Sequence, residues 1–321
     1  MTTSLGPLVL DLQAEQLSQE ERELIAHPLV GGVILFTRNY QNKQQLRELC
    51  HDVRQLKGEH QPILIMVDQE GGRVQRFVSE FTTLPALAHY GEVFEREPEL
   101  ACELAHTTAS VMAQELLDVG IDFSISPVLD LNKGKNTVIG NRAFHRHPDV
   151  VSTLGQHFIE GMQKVGMASL AKHFPGHGSV TADSHHELPI DQRTFAELQE
   201  DDLVPFQNLA HLVNGMMASH LLFPAIDSNI VGFSPYWLKN ILRDKMQFKG
   251  VILSDDLHMQ GANISDYAPD RFQAARDAGC DLALYCNDRK GVIQIIDHTT
   301  YTAHMLPEST WRQLKANINV R

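Results

Sequence analysis

Short apolar runs recur along the chain and are separated by longer stretches in which apolar residues follow a helical spacing. Each run is rich in β-branched or aliphatic residues, as expected of strands that are buried on both faces of a parallel sheet. The eight runs are LVLDL (8–12), GGVILF (31–36), ILIMVD (63–68), IDFSISPVLD (121–130), MASLAKHF (167–174), GMMASH (215–220), GVILSDD (250–256) and DLALYCN (281–287). The pattern therefore predicts eight parallel strands.

Helices are predicted between these runs. The sequence SQEE at 18–21 is a capping box with Ser18 as the N-cap and Glu21 reaching back to it, and Pro28 ends the short helix that the box opens. Leucines and valines at helical spacing predict two more helices, over 46–56 and 100–117. Further helices are predicted over 149–164, 194–212, 235–246 and 270–278.

The alternation of strand and helix predicts the fold. Eight repeats indicate an α/β protein with a single (β/α)8 TIM barrel over residues 1–321, whose active site lies at the C-terminal ends of the strands. A doubly wound open sheet is the alternative. Its common nucleotide-binding form needs a glycine-rich turn after an early strand, and the best candidate, QEGGR at 69–73, lacks the GxGxxG spacing. The barrel is therefore preferred.

Almost every predicted strand ends in a polar or ionisable residue. These residues are Asp11, Arg38, Asp68, Asp130, Lys172, His173, His220, Asp255, Asp256 and Asn287. In a barrel the bodies of the strands pack the interior, and their carboxyl ends converge above it. The chemistry is therefore expected on this face.

Two adjacent aspartates follow the seventh run, in the sequence SDD at 254–256. Successive side chains of a strand face opposite sides, so only one of Asp255 and Asp256 is expected to face the mouth of the barrel. That one would be a reactant or a ligand, and the other would support it or cap the next helix. A purely structural role, in which both aspartates cap the helix, is the competing interpretation.

Two loops supply arginines to the same face. The sequence DQEGGRVQRF at 68–77 carries Asp68 and Arg76, and GNRAF at 140–144 carries Arg142. Carboxylates and guanidinium groups together suit a polyhydroxylated ligand, because hydroxyls both donate and accept hydrogen bonds. Phosphate recognition would use the arginines and leave Asp68 without a role.

The segment AKHFPGHGSVTADSHHELP (171–189) holds four of the seventeen histidines. Lys172 and His173 are adjacent at a strand end and are expected to point in opposite directions if the strand is still extended, before proline and glycine force a turn. Beyond the turn, Asp183 and His185 are two residues apart. The carboxylate is therefore expected to orient the imidazole and raise its proton affinity. His186 is expected to be an exposed loop residue.

A metal site is the competing interpretation of this segment. The spacing of His173 and His177 resembles that of helical metal ligands, but the intervening proline and glycine exclude that helix. A site built from His173, His185 and Asp255 stays open as an alternative.

Composition narrows the range of partners. The chain has 321 residues, 43% of them hydrophobic, and a net charge of −13, which argues against nucleic acid and anionic membrane surfaces as partners. No apolar run reaches the roughly 18 residues of a membrane span. The cysteines, at 50, 102, 280 and 286, form no CxxC and are expected to be free, mostly buried thiols. The sequence MTTSLGPLVLDLQAEQL lacks the basic start of a secretory signal. A cytoplasmic monomer is expected.

The motifs together resemble those of glycoside hydrolase family 3. The sequences KHFPGHGSVTADSH and GVILSDDLHMQGA carry the resemblance, with further likeness in LVLDLQA, HPLVGGVILFTRNY, DQEGGRVQRF and IGNRAF. It covers nearly the whole chain. Within this family, the chain is similar to the bacterial cytoplasmic β-N-acetylhexosaminidases of cell-wall recycling.

The resemblance implies the roles of particular residues. Asp255 would be the catalytic nucleophile, and His185 the general acid/base with Asp183 as its partner. The residues implied to bind the N-acetylglucosamine unit are Asp68, Arg76, Arg142, Lys172 and His173. It also implies a single-domain barrel without a metal or organic cofactor, which releases terminal β-linked N-acetylglucosamine from N-acetylglucosaminyl-1,6-anhydro-muramyl peptides.

Three other functions stay open at this point. A glycoside phosphorylase could use the same covalent route, because a histidine acid/base does not repel incoming phosphate as a carboxylate would. A metal-dependent hydrolase and a sugar-binding protein without turnover are the other two alternatives.

Overall fold

The strands form where the apolar runs predict them. A computed structural model describes residues 4–57, 61–134, 138–184, 186–300 and 305–315. Each of the eight runs contains a strand, and a short hairpin, β4–β5, adds two more. The strands are β1 Leu8–Asp11, β2 Val30–Leu35, β3 Leu64–Val67, β4 Gln69–Gly71, β5 Val74–Gln75, β6 Phe123–Ser124, β7 Leu170–Phe174, β8 Gly215–Ala218, β9 Val251–Ser254 and β10 Ala283–Tyr285.

Helices form at every predicted place, and three more α-helices of the described residues form outside the predicted ranges. The helices are α1 Gln19–Ala26, α2 Lys43–Gln55, α3 Leu87–Phe94, α4 Pro98–Asp118, α5 Pro148–Lys164, α6 Phe195–Gln199, α7 Leu203–Leu209, α8 Ala268–Ala278, α9 Arg289–His298 and α10 Glu308–Trp311, with a π-helix at Tyr236–Lys245. The capping box of Ser18 and Glu21 is present at the start of α1. None of the helices in the described ranges is both long enough and apolar enough to cross a membrane.

One predicted helix is divided in two. The prediction of a continuous helix over 194–212 is wrong, because α6 ends at Gln199 and α7 begins at Leu203. Pro205 lacks the N–H that a continuous helix would use, and it is tolerated in the first turn of a new helix. Asp202, just before α7, is fully buried and accepts hydrogen bonds from Ser179 and Arg193.

The strands form two parallel sheets. One has the order β10-β1-β2-β3-β6 and the other the order β7-β8-β9, and the antiparallel β4–β5 hairpin is separate. Two isolated parallel bridges join the sheets, Val128 to Lys172 and Leu253 to Leu282. In the fourth run Pro127 has no N–H to donate to the ladder, and the run contributes only the two-residue β6 and the Val128 bridge. The strand bodies are buried, so the fold is α/β with parallel sheets and an apolar interior.

The cysteines are free thiols, as expected from their spacing. Cys50, Cys280 and Cys286 are buried, and Cys102 is half-buried. Burial raises the pKa of Cys50 and of Cys280 to about 12, so both thiols stay protonated at neutral pH.

Candidate active site

A cavity of about 410 Å³ opens at the carboxyl ends of the strands. Its volume is typical of a small-molecule site. Seven of the eight predicted site residues border it, namely Asp68, Arg76, Arg142, Lys172, His173, Asp183 and Asp255. The eighth, His185, lies outside the described residues. Residues that are 187 positions apart in sequence, Asp68 and Asp255, therefore share one cavity.

The aspartate pair after β9 has two different environments. The backbone N–H of Asp255 donates to the carbonyl of Ala218 at the end of β8, and Oδ1 of Asp255 accepts the N–H of Asp256 at 2.8 Å. Oδ1 of Asp256 accepts the N–H groups of His258 and Cys286, both at 3.0 Å. Asp256 therefore ties two loops to the end of β9.

The expectation that only one of the two aspartates faces the barrel mouth stays a prediction. Both Asp255 and Asp256 border the cavity. The regular strand ends at Ser254, so the alternation of side chains does not extend to these two residues. The division of roles is nevertheless visible in the contacts, because the Asp256 carboxylate is engaged by backbone donors.

The carboxyl of Asp256 is expected to make stability depend on pH. Burial raises its pKa to about 7, although the N–H donors of His258 and Cys286 oppose the rise. The folded state then binds more protons than the unfolded state between about pH 4 and pH 7, so this group lowers the stability as the pH rises through that range. Asp256→Asn is expected to remove the effect, and to be more favourable relative to wild type at pH 8 than at pH 5, by about 2 to 3 kcal/mol.

Urea unfolding of both proteins at pH 5 and pH 8 measures this difference. Asp118→Asn, on the exposed surface of α4, is the control and should show the same difference from wild type at both pH values. Equal differences for Asp256→Asn at both pH values would contradict the prediction.

Charged side chains of opposite sign alternate on one wall of the cavity. The Nζ of Lys172 lies 2.6 Å from Oδ1 of Asp68 and 2.5 Å from Oε1 of Glu70. Arg142 donates to both carboxylate oxygens of Glu70 at 2.8 Å, and Arg76 lies 3.4 Å from Asp68. Such a charge-paired network fixes the positions of its donors and acceptors, as the recognition of a polar ligand requires.

The cations set the protonation of the two carboxyls. Burial alone would raise the pKa of Asp68 and of Glu70, but Lys172 outweighs it with help from the arginines. The pKa of Asp68 is held well below its usual range, and that of Glu70 is lowered to about 2. Both are carboxylates at neutral pH. Glu70 is not among the predicted site residues, although it lies two residues after Asp68 and such a pair lies on the same side of an extended segment.

Asp130 holds one cavity histidine. Its Oδ2 lies 2.6 Å from Nδ1 of His173, and its carboxylate also accepts the backbone N–H groups of His173 and His177. Burial raises the pKa of Asp130, but His173 outweighs this and keeps it below its usual value. A carboxylate at Nδ1 fixes the tautomer and orientation of the imidazole. His173 therefore presents Nε2 as its other ring nitrogen.

The expectation that Lys172 and His173 point in opposite directions applies only to a strand that is still extended. Both border the cavity. The pairing of β7 with β8 shifts register between Ala171 and Phe174, so the strand is irregular where these two residues lie. Simple alternation therefore does not apply to them.

The segment after the turn, of which the structure describes residues 179–184 and which is called the arm below, also reaches the cavity. Asp183 and Ser184 border it, and the His186 side chain is 82% exposed, which confirms the expectation for that residue. The pairing of Asp183 with His185 stays a prediction. Among the described residues, no group of three or more His, Cys, Asp and Glu side chains is arranged to hold a metal ion. The proposed trio of metal ligands includes His185 and lies partly outside them.

Comparison with known proteins identifies similar chains. The chain matches the family described as "Glycosyl hydrolase family 3 N terminal domain" over residues 6–316. It is 46% identical over 286 residues to the "Beta-hexosaminidase" of Nitrosospira multiformis, covering 89% of this chain and 81% of that protein. It is 48% identical over 295 residues to the "Beta-hexosaminidase" of Thioalkalivibrio sulfidiphilus, covering 92% and 84%.

A solved structure is similar over the whole fold. It is that of NagZ from Neisseria gonorrhoeae in complex with N-trifluoroacetyl-D-glucosamine, with a TM-score of 0.90 and 38% sequence identity. The similarity covers 99% of this chain and 92% of that one.

Proposed function

Since the chain belongs to glycoside hydrolase family 3 and is a β-hexosaminidase, we propose that it is a retaining exo-β-N-acetylglucosaminidase with Asp255 as nucleophile. The observation that carries this proposal is the position of Asp255, which follows β9 and borders the same cavity as a set of paired cations and carboxylates. A rigid strand end suits a nucleophile, because its position must be fixed relative to the reacting carbon.

The reaction would proceed in two steps. In the first, a carboxylate oxygen of Asp255 bonds to the anomeric carbon as the bond to the leaving oxygen breaks, and His185 gives its proton to that oxygen. In the second, His185 takes a proton from water, whose oxygen bonds to the anomeric carbon and releases Asp255. A histidine suits both roles because it gains and loses a proton near neutral pH. Asp183 would orient His185 through its carboxylate.

The charged wall would bind the sugar. Lys172 and Arg76 offer donors to hydroxyl oxygens, and Asp68 between them offers acceptors. Arg142 would add donors, and His173, whose Nδ1–H donates to Asp130, would present its Nε2 to the cavity. Each hydroxyl of a hexose can donate and accept at once, so a wall of alternating charge is well matched to it.

The scaffold would be a (β/α)8 barrel. The two parallel sheets are joined by single parallel bridges at Val128–Lys172 and Leu253–Leu282, and β10 pairs with β1. These contacts would complete a ring of eight parallel strands. Closure would explain why side chains from strands that are far apart in sequence border one cavity.

The proposed substrates are muropeptides that carry N-acetylglucosamine on 1,6-anhydro-N-acetylmuramic acid, released in peptidoglycan turnover. The similar solved NagZ protein binds an N-acylated glucosamine derivative, which supports the sugar part of this proposal. The four free cysteines fit a reducing cytoplasm, where such fragments would be recycled. A monomer without a cofactor would suffice for this chemistry.

A panel of 4-nitrophenyl β-glycosides tests the activity. Release of nitrophenol is expected from the N-acetylglucosaminide and not from the glucoside or the N-acetylgalactosaminide. His185→Ala is expected to lose about 10²- to 10³-fold in kcat/KM on a methyl glycoside and much less on the nitrophenyl substrate, because a good leaving group needs little protonation. Equal losses on both substrates would exclude His185 as the acid.

Product analysis separates hydrolysis from the alternatives. In phosphate buffer the expected product is free N-acetylglucosamine, and the glycosyl phosphate would indicate phosphorolysis instead. Activity that disappears after exhaustive chelation and returns with metal would indicate a metal-dependent enzyme. Binding of N-acetylglucosamine without release of nitrophenol would indicate a sugar-binding protein.

A further inference from the structure

Ser184 is the residue between Asp183 and His185, the proposed acid/base pair, in the sequence of the arm. It is 3% exposed, although Ser184 and its neighbour Asp183 both border the cavity. Its hydroxyl oxygen lies 3.3 Å from Nε2 of His177, and its carbonyl accepts the N–H of Gly261 at 2.9 Å. The side chain and the carbonyl of Ser184 are therefore both held by other parts of the site.

The contact with Gly261 is sterically close. A Cβ added to Gly261 would lie 3.1 Å from the carbonyl oxygen and 3.2 Å from the Cβ of Ser184, and 3.2 Å from the Cβ of His220. Gly261 belongs to the loop that follows Asp255, and His220 follows β8. The absence of a side chain at Gly261 thus lets the arm rest directly against the loop of the proposed nucleophile.

His177 provides a fixed partner for the hydroxyl. It is 2% exposed, and its backbone N–H donates to Asp130 at 2.7 Å. Burial lowers the pKa of His177, with a further lowering by His173, so the ring is neutral at neutral pH. A neutral imidazole has one donor and one acceptor nitrogen, and a hydroxyl can pair with either.

We propose that Ser184 is a positioning residue that seats the arm between His177 and the Gly261 loop, and so sets the place from which Asp183 and His185 act. The two residues of the proposed proton-transfer pair flank Ser184 directly in sequence. Ser184 itself is held by one side-chain hydrogen bond and one backbone hydrogen bond. This inference rests on the proposed function.

The test compares two serines of the same arm. Ser184→Ala removes the hydroxyl that faces His177, whereas Ser179→Ala removes one that donates to Asp202 at 3.1 Å, away from the proposed acid/base pair. For each variant, kcat/KM is measured on methyl and 4-nitrophenyl β-N-acetylglucosaminides. Ser184→Ala is expected to lose about 5- to 10-fold on the methyl glycoside and less than about 2-fold on the nitrophenyl glycoside. Ser179→Ala is expected to affect both substrates equally.

Gly261→Ala provides a second variant. It keeps the backbone N–H, but the added Cβ crowds both Ser184 and His220, so that these neighbours must move by a few tenths of an ångström. The same selective loss on the methyl glycoside is expected, about 10-fold, because proton transfer is sensitive to small displacements.

Sodium azide is expected to raise kcat of Ser184→Ala on the nitrophenyl substrate and to give the glycosyl azide, because azide attacks the glycosyl-enzyme without a general base.

The outcomes distinguish a failure of the positioning role of Ser184 from a failure of the proposed glycosidase activity. Equal losses on both glycosides for Ser184→Ala, with no azide product, would overturn the positioning role while leaving the glycosidase activity intact. A wild-type protein that cleaves neither glycoside would overturn the proposed function and this inference with it. Thermal unfolding of each variant identifies any loss that comes from misfolding.

Discussion

Asp255→Ala is expected to reduce kcat on 4-nitrophenyl β-N-acetylglucosaminide by about 10⁴-fold or more, because it removes the proposed nucleophile of the covalent intermediate. The substitution removes a half-buried side chain on the border of the cavity, one of whose contacts is with the N–H of Asp256. The fold should therefore survive, and sugar binding by the charged wall should be retained. Isothermal titration with N-acetylglucosamine measures that binding in the inactive variant.

Asp256→Asn is the matched control for this substitution. It changes the next carboxylate along the chain, and an amide oxygen can still accept the N–H groups of His258 and Cys286. It is expected to keep kcat within about 10-fold of wild type. A 5-fluoro-N-acetylglucosaminyl fluoride should label the wild-type protein at Asp255, as read by peptide mass spectrometry. A label on Asp256 or elsewhere, or an active Asp255→Ala variant, would contradict the assignment of the nucleophile.

The strands are predictable because burial on both faces requires continuous apolar runs, and that requirement is visible in the sequence. The helices α3, α9 and α10 are not predicted. Helix α9 follows Asp288, whose side chain caps it by accepting the N–H of Gly291. That capping signal is present in the sequence, whereas α3 begins at Leu87 without a side-chain cap. Helices without a cap depend on tertiary packing, which local patterns do not contain.

The membership of the site is predictable where a polar residue ends an apolar run. Asp68, Lys172, His173 and Asp255 are found in this way, because a strand end needs no side chain of this kind for its own stability. The contacts among them are not predictable in the same way. Asp130 ends a run, but its partnership with His173 crosses 43 residues and depends on how two strands meet. The side-chain directions of Asp255 and Asp256 are not predictable either, because both residues lie beyond Ser254, where the regular strand β9 ends.

Glu70→Gln is expected to lower both stability and activity. Glu70 is 2% exposed and is the shared partner of Lys172 and Arg142, so a neutral amide leaves buried positive charge with Asp68 as the remaining carboxylate partner of Lys172. The cost is about 3 kcal/mol in the free energy of unfolding, and about 10²-fold in kcat/KM because the donors move away from the sugar. Urea unfolding and nitrophenyl kinetics at pH 7 measure the two effects.

The effect of Glu70→Gln on the free energy of unfolding is expected to depend on pH. The pKa of Glu70 is lowered from 4.5 to about 2 in the folded protein, so its stabilising charge is fully present above pH 4.5 and is lost as the pH falls towards 2. The stability difference between wild type and Glu70→Gln should therefore shrink over that interval. Glu95→Gln is the control, because Glu95 is 62% exposed where it pairs with His145 and should contribute less than about 1 kcal/mol. Equal effects of the two substitutions at pH 7 would show that the buried network does not depend on the Glu70 charge.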